Sequence, residues 1–401
     1  MALDSTVAPP VRHDRFPCFD GVRALAAVMV VVYHSVFFNT DFLTRGGSFF
    51  GTLNAGVWIF FVTSGFLLYL PFAASHLAGA NPVDPRGYAV RRVARIYPAY
   101  WLVLAFFTFV VAKVNIYGLH GLVLNTTLTF TYVHIKNPFV IGLPPAWSLV
   151  VEVSFYAFLP FYAALIGALA RRGRALRVEL TGVAVLFAIG LVAIISLGYG
   201  LDGPWVTVLP QHIGAFALGM FLAVLSSQRW SDGTTARLER IGRPAWIWWS
   251  AALAALVMIP VGLRLDPLAS MNAAQAIGLN LCQMITGVCV VVPVVLGPQD
   301  HGAIRRILRS RVAVFLGLIS YGIYLWHWYI LQMLADRLGW PLYHGNWLAI
   351  LALGLPIVIV AASVSWFGLE RPVLRLAHRV APARRPPHDP KPRDRHALRD
   401  A

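Results

Sequence analysis

The sequence predicts an all-α polytopic membrane protein with about ten transmembrane helices and both termini in the cytoplasm. Apolar residues make up 58% of the 401 residues and charged residues only 12%, which is far from the balance of a soluble domain. The apolar residues fall into separate segments, each long enough for a helix to cross a bilayer. Basic residues cluster in every second connection between these segments. These three observations predict the fold class.

The predicted spans follow one another along most of the chain. Each contains enough consecutive apolar residues to cross the hydrocarbon core, and more polar connections separate them. No connection is long enough to form a soluble domain of its own. The ten spans are residues 22–40, 54–74, 96–114, 146–169, 179–198, 206–226, 245–263, 274–297, 311–335 and 345–367.

The distribution of basic residues supports this number of spans. If the N-terminus is cytoplasmic, 28 of the 33 Lys and Arg residues lie on the cytoplasmic side and 5 on the outer side. A miscount of one span would destroy this alternation. The formal net charge of +16 is therefore a topology signal and does not indicate a nucleic-acid partner. We expect a multi-pass protein of the plasma membrane, in contact with membrane lipids.

The chain divides into three parts. We expect residues 1–18 to form a cytoplasmic segment, residues 19–375 the membrane domain and residues 376–401 a basic, Pro/Arg-rich and disordered cytoplasmic tail. Polar residues precede the first span, which is typical of an uncleaved anchor. The three cysteines have neither a metal-binding spacing nor a disulfide framework.

The first span contains an ionisable residue, His34. By helical rise, His34 lies about 18 Å from the inner end of the span and about 12 Å from the outer surface. Charged or titratable side chains are costly in hydrocarbon and are functional by default, and histidine transfers protons near neutral pH. Arg23 lies at the inner end of the same helix, about 16 Å away. We predict a donor entry near Arg23 and the chemistry at His34.

A carboxylate on the fourth span is the candidate partner of His34. Glu152 lies roughly 9 Å below the outer end of its helix, at a depth similar to that of His34. Ser148 and Tyr156 lie on the same helical face as Glu152. A His–carboxylate pair would orient the imidazole and raise its basicity, as a general base requires. A structural ion pair that specifies packing is the alternative.

Other polar residues in the spans are candidates for a substrate channel. Ser64 and Gly65 lie near mid-membrane, where small residues either permit close helix packing or line a channel. A nucleophilic Ser64 would need a base within hydrogen-bond reach. His212 and His327 lie near outer helix ends, where they either line an acceptor cleft or sit at the interface, with Trp328 as part of an aromatic belt. The predicted channel residues are Ser64, Phe61, Ser148, Tyr156, His212 and His327.

An arginine cluster precedes the third span. Such clusters usually signal topology and contact lipid headgroups. Arg92 and Arg95, however, are three residues apart on one helical face, and planar guanidinium groups suit phosphate recognition. We therefore predict a site for a phosphorylated donor at the cytoplasmic side. The predicted donor-binding residues are Arg91, Arg92, Arg95 and Tyr97.

Taken together, the motifs of this chain resemble those of acyltransferase family 3, integral-membrane enzymes that O-acylate carbohydrates, lipids and some antibiotics. The resemblance covers most of the chain, from Phe19 to about Pro372. The motifs follow in order: FDGVRALAAVMVVVYH, GVWIFFVTSGFLL, YAVRRVARIYPAYW, AWSLVVEVSFYAFLP, ISYGIYLWHW and the terminal ERP.

The resemblance implies a donor, a site and a class of acceptor. It implies acyl-CoA, typically acetyl-CoA, as the donor substrate, with no permanently bound cofactor. It further implies His34 as the essential residue with Arg23 as its motif partner, and the pair Arg92 and Arg95 at the donor phosphates. It also implies a functional motif around Glu152. The expected acceptor is a hydroxyl of a carbohydrate, a glycolipid or a small molecule. Transfer with His34 as general base is the expected reaction, and an acyl-His34 or acyl-Ser64 intermediate stays open.

A transporter or flippase is the main alternative function. In that case His34 and Glu152 would relay protons while an envelope glycolipid or polysaccharide unit crosses the membrane. The ordered motifs, and a sequence without the internal repeats of many transporters, favour the enzyme. A non-catalytic membrane scaffold would leave the buried histidine without a role.

Overall fold

The computed structural model describes residues 16–37, 49–133, 142–170, 174–196, 207–263, 271–299, 301–340 and 345–381. The first eight helices are α1 (Phe19–Phe37), α2 (Gly56–Leu77), α3 (Pro85–Ala105), α4 (Gly118–Thr127), α5 (Trp147–Ala170), α6 (Ala175–Ser196), α7 (Leu209–Ser227) and α8 (Asp232–Gly242). The others are α9 (Ala245–Met258), α10 (Ala273–Val295), α11 (Ala303–Leu308), α12 (Arg311–Leu318), α13 (Ser320–Arg337), α14 (Trp347–Ser365) and α15 (Arg371–Val380). Short 3₁₀ or π turns extend several of them.

The structure confirms the all-helical membrane class. Within the described ranges, nine helices are long and apolar enough to cross a membrane, and the count is ten if the bent pair α12 and α13 forms one span. That pair corresponds to the predicted span 311–335, which is broken by a bend of 71°. The break lies at Ile319, whose backbone leaves the helical region, and the Ser320 hydroxyl donates to the Gly317 carbonyl beside it. The cytoplasmic placement of both termini stays a prediction.

The predicted boundaries of the membrane domain need one correction. The predicted disordered tail, 376–401, begins inside α15, which continues to Val380. This helix packs on α3, and Arg91 Nη1 donates to the Ala381 carbonyl at 2.9 Å. These contacts explain why the segment is helical as far as Val380. Within the predicted N-terminal segment, Phe16 and Cys18 are buried in the core. The rest of the tail and of the N-terminal segment lie outside the described residues.

Helix α1 occupies a central position in the bundle. It packs against α2, α12, α13 and α14. Val22 and Val30 belong to the main hydrophobic core, whereas Ala27 and Val31 belong to a second cluster on another face of the helix. Because α1 is enclosed on several sides, its polar residues lie inside the protein.

Close contact between α2 and α7 depends on glycine. A Cβ atom on Gly65 would overlap the Phe216 carbonyl, and one on Gly219 would overlap the Val62 carbonyl. The packing interpretation of Gly65 is therefore confirmed. Its neighbour Ser64 lines the cavity described below.

The helix that carries Glu152 begins inside the bundle. A 3₁₀ turn at Pro144–Ala146 precedes α5, and two tyrosines of α13 hold this segment. The Tyr329 hydroxyl donates to the Gly142 carbonyl at 2.8 Å, and the Tyr324 hydroxyl donates to the Pro145 carbonyl at 2.6 Å. The first turn of α5 therefore lies at the level of the middle of α13, and this sets the depth of the site.

Candidate active site

A cavity of about 130 Å³ lies between α1, α2, α3, α5 and α13. It is smaller than the roughly 300–1,000 Å³ of pockets that enclose a whole drug-sized ligand, so it fits only part of a large substrate. The structure brings together most of the predicted site residues here. The polar residues of its lining are Arg23, Thr63, Ser64, Arg92, Arg95, Ser148, Glu152, Tyr156, Ser320, Tyr321 and Tyr324, and Phe61 lies among the apolar ones.

Glu152 is the polar centre of the cavity. Its Oε1 atom accepts hydrogen bonds from the Ser64 hydroxyl at 2.9 Å and from the Tyr156 hydroxyl at 2.5 Å. The guanidinium group of Arg23 interacts electrostatically with the same carboxylate. The predicted common face of Ser148, Glu152 and Tyr156 is confirmed, since all three line the cavity.

The predicted pairing of His34 with Glu152 is wrong. The nearest polar partners of Glu152 are on α2, on its own helix and at Arg23, and His34 is not among the residues that line the cavity. The depth estimate assumed that α5 begins at the membrane surface, but the helix begins inside the bundle at Trp147. Glu152 therefore lies roughly 8–10 Å deeper than Pro145, nearer to Arg23 than to His34.

His34 is paired instead with a second histidine. The Nε2 atom of His327 lies 2.9 Å from Nδ1 of His34, which also lies 3.0 Å from the carbonyl oxygen of Val30. The ring of Trp328 lies edge-on to the His34 ring, with 5.0 Å between centroids. His327 has an exposed fraction of 0%. The interfacial position predicted for His327 is therefore wrong, because its side chain is buried against the predicted catalytic residue. Its alternative place at an acceptor cleft stays a prediction.

Tyr324 connects the cavity to the two histidines. It lines the cavity, and its hydroxyl lies 2.6 Å from Ser148 Oγ. Its ring centroid lies 5.7 Å from that of His327 and 6.2 Å from that of Phe60. Tyr324 and His327 therefore link the cavity to His34 through direct contacts.

Arg92 lies in the cavity without an ionic partner among the described residues. Its guanidinium group lies 5.9 Å from the ring centroids of both Tyr88 and Tyr156. Its Nε atom is buried and has no hydrogen-bond partner in the described part of the chain. Buried N–H groups are nearly always paired in proteins, so this atom is available to an anionic ligand.

Arg95 is held from the opposite end of the chain. Its Nη1 atom lies 3.8 Å from Oε2 of Glu370, and its guanidinium group lies 5.6 Å from the rings of Tyr321 and Trp366. Nη2 of Arg95 is a second buried donor for which the described residues provide no partner. With Arg23 and Arg92, it gives the cavity three guanidinium groups against the single carboxylate of Glu152.

The other two predicted donor-binding residues lie elsewhere. Arg91 faces α15, where it bonds the Ala381 carbonyl, and Tyr97 donates to the Thr127 carbonyl at 3.2 Å. Neither lines the cavity. Adjacent residues on a helix point about 100° apart, so Arg91 and Arg92 cannot share a face.

His212 lies beside the cavity in an aromatic cage. Its side chain is 4% exposed, and its ring centroid lies 5.6 Å from Trp58, 5.4 Å from Phe61 and 5.5 Å from Trp147. Only Phe61 of these residues also lines the cavity. The structure thus places the predicted channel residue His212 one side chain away from it.

Sequence reasoning missed several residues of this region, among them Tyr321, Tyr324 and Glu370. Both tyrosines belong to the ISYGIYLWHW motif, and Glu370 belongs to the terminal ERP motif. Those motifs are the signal that could have identified these residues, but only His327 of the first motif is among the predicted site residues. No group of three or more His, Cys, Asp or Glu side chains suited to a metal ion occurs in the described ranges.

The chain is similar to several named bacterial proteins. A protein of Bacillus subtilis, YrhL, provisionally named as a peptidoglycan O-acetyltransferase, is 24% identical over 90% of this chain and 55% of its own length. The exopolysaccharide production protein ExoZ of Rhizobium meliloti is 28% identical over 82% of this chain and 92% of its own. Nodulation protein 10 of Rhizobium leguminosarum is 25% identical over 89% and 93%, respectively. The chain thus spans about half the length of the Bacillus relative.

No solved structure matches this chain significantly. The model of the acyltransferase domain family, by contrast, matches residues 16–366, which include both histidines, the three cavity arginines and Glu152. The chain therefore belongs to acyltransferase family 3 and is an acyltransferase embedded in a membrane.

Proposed function

We propose that this protein transfers an acyl group, typically acetyl, from acyl-CoA to a hydroxyl of a carbohydrate or glycolipid of the cell envelope. The observation that carries this proposal is a histidine, His34, that contacts through His327 and Tyr324 a cavity lined by three arginines. The names of two relatives, which refer to peptidoglycan O-acetylation and exopolysaccharide production, support acetyl as the group and carbohydrate as the acceptor.

The cavity is the proposed donor site. The phosphates of acyl-CoA are anionic, and Arg23, Arg92 and Arg95 concentrate positive charge in the cavity. Arg92 and Arg95 also offer two buried N–H groups that have no hydrogen-bond partner among the described residues. Because the cavity is too small for the whole donor, the phosphates bind the arginines at its cytoplasmic end, and only the pantetheine arm and thioester pass further in. The arm passes Ser64 and Ser148 and carries the thioester past Tyr324 to His34. The nucleotide remains at the cytoplasmic end of the bundle, in the predicted plasma-membrane topology.

His34 acts as the general base. Its imidazole removes the proton from the acceptor hydroxyl, and the oxygen attacks the thioester carbonyl. The carbon–sulfur bond breaks, and the leaving thiolate takes the proton back from His34, so the products are an ester and free CoA. General-base catalysis contributes about 10²–10⁴-fold, so the cavity must supply much of the remaining rate enhancement through positioning.

Thioester consumption tests the proposal. Purified protein in lipid nanodiscs is incubated with labelled acetyl-CoA and an envelope extract, and both free thiol and labelled acceptor are measured. Equal amounts of both are expected from the wild type, and His34→Ala is expected to abolish them. His378→Ala is the matched control, because His378 bonds a carbonyl four residues earlier, as His34 does, but is exposed on α15. An intact thioester with the wild type would favour a transporter, and an active His34→Ala variant would exclude His34 as the base.

The acceptor can then be identified by mass spectrometry. Envelope extracts from a deletion strain are compared with those from its parent. The proposal predicts one carbohydrate-containing species that lacks an acetyl-sized mass in the deletion strain and regains it on complementation. Loss of acyl groups from phospholipid alone would contradict a carbohydrate acceptor.

A further inference from the structure

The hydrogen-bond partners of His327 determine which of its nitrogens carries the proton. Its Nδ1 atom lies 2.7 Å from the carbonyl oxygen of Tyr324 and 3.3 Å from that of Ile323. Carbonyl oxygens only accept hydrogen bonds, so Nδ1 is the protonated nitrogen. In the neutral ring, the opposite atom, Nε2, is then an acceptor, and it is this atom that faces His34.

The same argument assigns the tautomer of His34. Its Nδ1 atom faces two acceptors, the Val30 carbonyl oxygen at 3.0 Å and His327 Nε2 at 2.9 Å. Nδ1 of His34 therefore carries the proton. The lone pair is left on Nε2, which is the nitrogen able to accept a proton from a substrate.

We propose that His327 is a positioning residue for the acyl-transfer reaction: it holds His34 in the Nδ1–H tautomer and accepts a hydrogen bond from the His34 imidazolium during transfer. The proposal rests on the proposed function. In serine hydrolases, a buried carboxylate performs this role for the catalytic histidine. In the described part of this chain no carboxylate forms an ion pair with either histidine, and a neutral imidazole takes that position.

Every proton of the proposed step is accounted for. The proton of the acceptor hydroxyl moves to Nε2 of His34 and then to the departing CoA thiolate. The Nδ1 proton stays in the hydrogen bond between the two rings. His327 begins and ends the cycle neutral, with its own Nδ1 proton held by the Tyr324 carbonyl.

The fold restrains both rings for this purpose. His327 is completely buried on α13, and Trp328 on the same helix lies edge-on to the His34 ring at an interplanar angle of 89°. The two histidines come from α1 and α13, which pack directly together. Their relative position is thus set by two helices of the core rather than by a loop.

Two variants of His327 and one control test the proposal. His327→Leu removes the acceptor, whereas His327→Gln can present its amide oxygen to His34 Nδ1. Leu331→Ala, which truncates a buried side chain on the next turn of α13, controls for loss of packing. We expect His327→Leu to lower kcat by roughly 10²-fold or more, within the range of general-base catalysis, with the donor KM within about threefold. His327→Gln should recover at least about tenfold of that loss, and Leu331→Ala should lower Tm with kcat nearly unchanged.

Solid-state NMR of ring-¹⁵N-labelled histidine measures the protonation of each ring nitrogen, which a change in packing alone does not alter. The His34 signals, assigned by their absence from His34→Gln, should show a protonated Nδ1 and an unprotonated Nε2, and the Nδ1 signal should shift in His327→Leu but not in Leu331→Ala. A protonated Nε2, or an Nδ1 signal unaffected by His327→Leu, would overturn the proposal, as would wild-type kcat in His327→Leu. If the wild type consumes no acetyl-CoA, the proposed function fails, while the NMR signals still decide whether His327 sets the tautomer.

Discussion

Arg95 on α3 and Glu370 at the end of the last long helix face each other inside the bundle, with 3.8 Å between Nη1 and Oε2. Glu370 is buried, and its other carboxylate oxygen accepts a hydrogen bond from the Ser365 hydroxyl at 3.2 Å. The pair therefore joins the C-terminal end of the membrane domain to one wall of the cavity.

Removal of this carboxylate should affect both stability and donor binding. Glu370→Gln leaves Arg95 without its ionic partner, which is destabilising by up to about 3–5 kcal/mol for a fully buried pair and by less for the partly exposed Arg95. We expect a lower Tm in thermal unfolding assays and a higher KM for acyl-CoA. The double variant Arg95→Met/Glu370→Gln should regain part of the Tm but none of the donor affinity. Recovery of both would mean that Arg95 does not contact the donor.

Replacement of Arg92 should weaken donor binding more than it slows the chemistry. Arg92 has no ionic partner in the described structure, so its charge is available to phosphate. We expect Arg92→Met to raise the KM for acetyl-CoA by about tenfold or more, since charge-assisted bonds contribute about 1.5–3 kcal/mol. Arg92→Lys should restore only part of this, because lysine lacks the planar fork. Arg86→Met, an exposed arginine on the same helix, is the control, and an equal effect there would indicate a general surface charge effect.

Ser64→Ala should retain transfer at a reduced rate. The Ser64 hydroxyl donates to Glu152 and is not bonded to either histidine, so it is placed to orient the carboxylate rather than to attack the donor. We expect kcat to stay within about tenfold of the wild type, because only one hydrogen bond is lost. Peptide mass spectrometry after rapid quenching should find no acylated Ser64. Ser363→Ala, whose hydroxyl only bonds a carbonyl on its own helix, is the control. An acyl-Ser64 peptide together with an inactive Ser64→Ala variant would instead establish a covalent intermediate.

A methyl group between α2 and α7 should destabilise the fold. In Gly65→Ala the new Cβ overlaps the Phe216 carbonyl, and overpacking of this kind costs about 1–3 kcal/mol. Gly233→Ala is the matched control, because among the described residues no heavy atom beyond its own turn of helix lies within 4 Å of its new Cβ, and its φ angle is not positive. We expect Tm to fall in the first variant and to stay or rise slightly in the second. Equal Tm values in both variants would show that α2 and α7 can move apart without a loss of stability.

Local sequence was sufficient to identify most residues of the site but not their partners. His34, Glu152, Arg92 and Arg95 stand out because each is a titratable residue in or beside an apolar segment. The predicted pairing of His34 with Glu152 is wrong because the rise per residue gives the depth of a residue only when its helix starts at the membrane surface. The start of α5 is instead determined by long-range hydrogen bonds from α13.

The environment of His327 shows a second limit of local reasoning. A histidine between two tryptophans near a helix end is typical of an interfacial belt, yet Trp326 is buried and contacts the ring of Phe106 at 5.0 Å. Whether such a segment faces lipid or protein depends on which helices surround it. The hydrophobicity of one segment does not determine that arrangement, which depends on the whole bundle.

The bend between α12 and α13 has an electrostatic consequence. It makes α13 begin within the membrane domain, and its first two residues, Ser320 and Tyr321, line the cavity. The N-terminus of a helix carries a partial positive charge that comes from its peptide groups. The cavity thus receives part of its attraction for anions from the backbone, which no side-chain replacement removes. Single arginine variants should therefore bind the donor weakly rather than not at all, because the two remaining arginines and the N-terminus of α13 still attract anions.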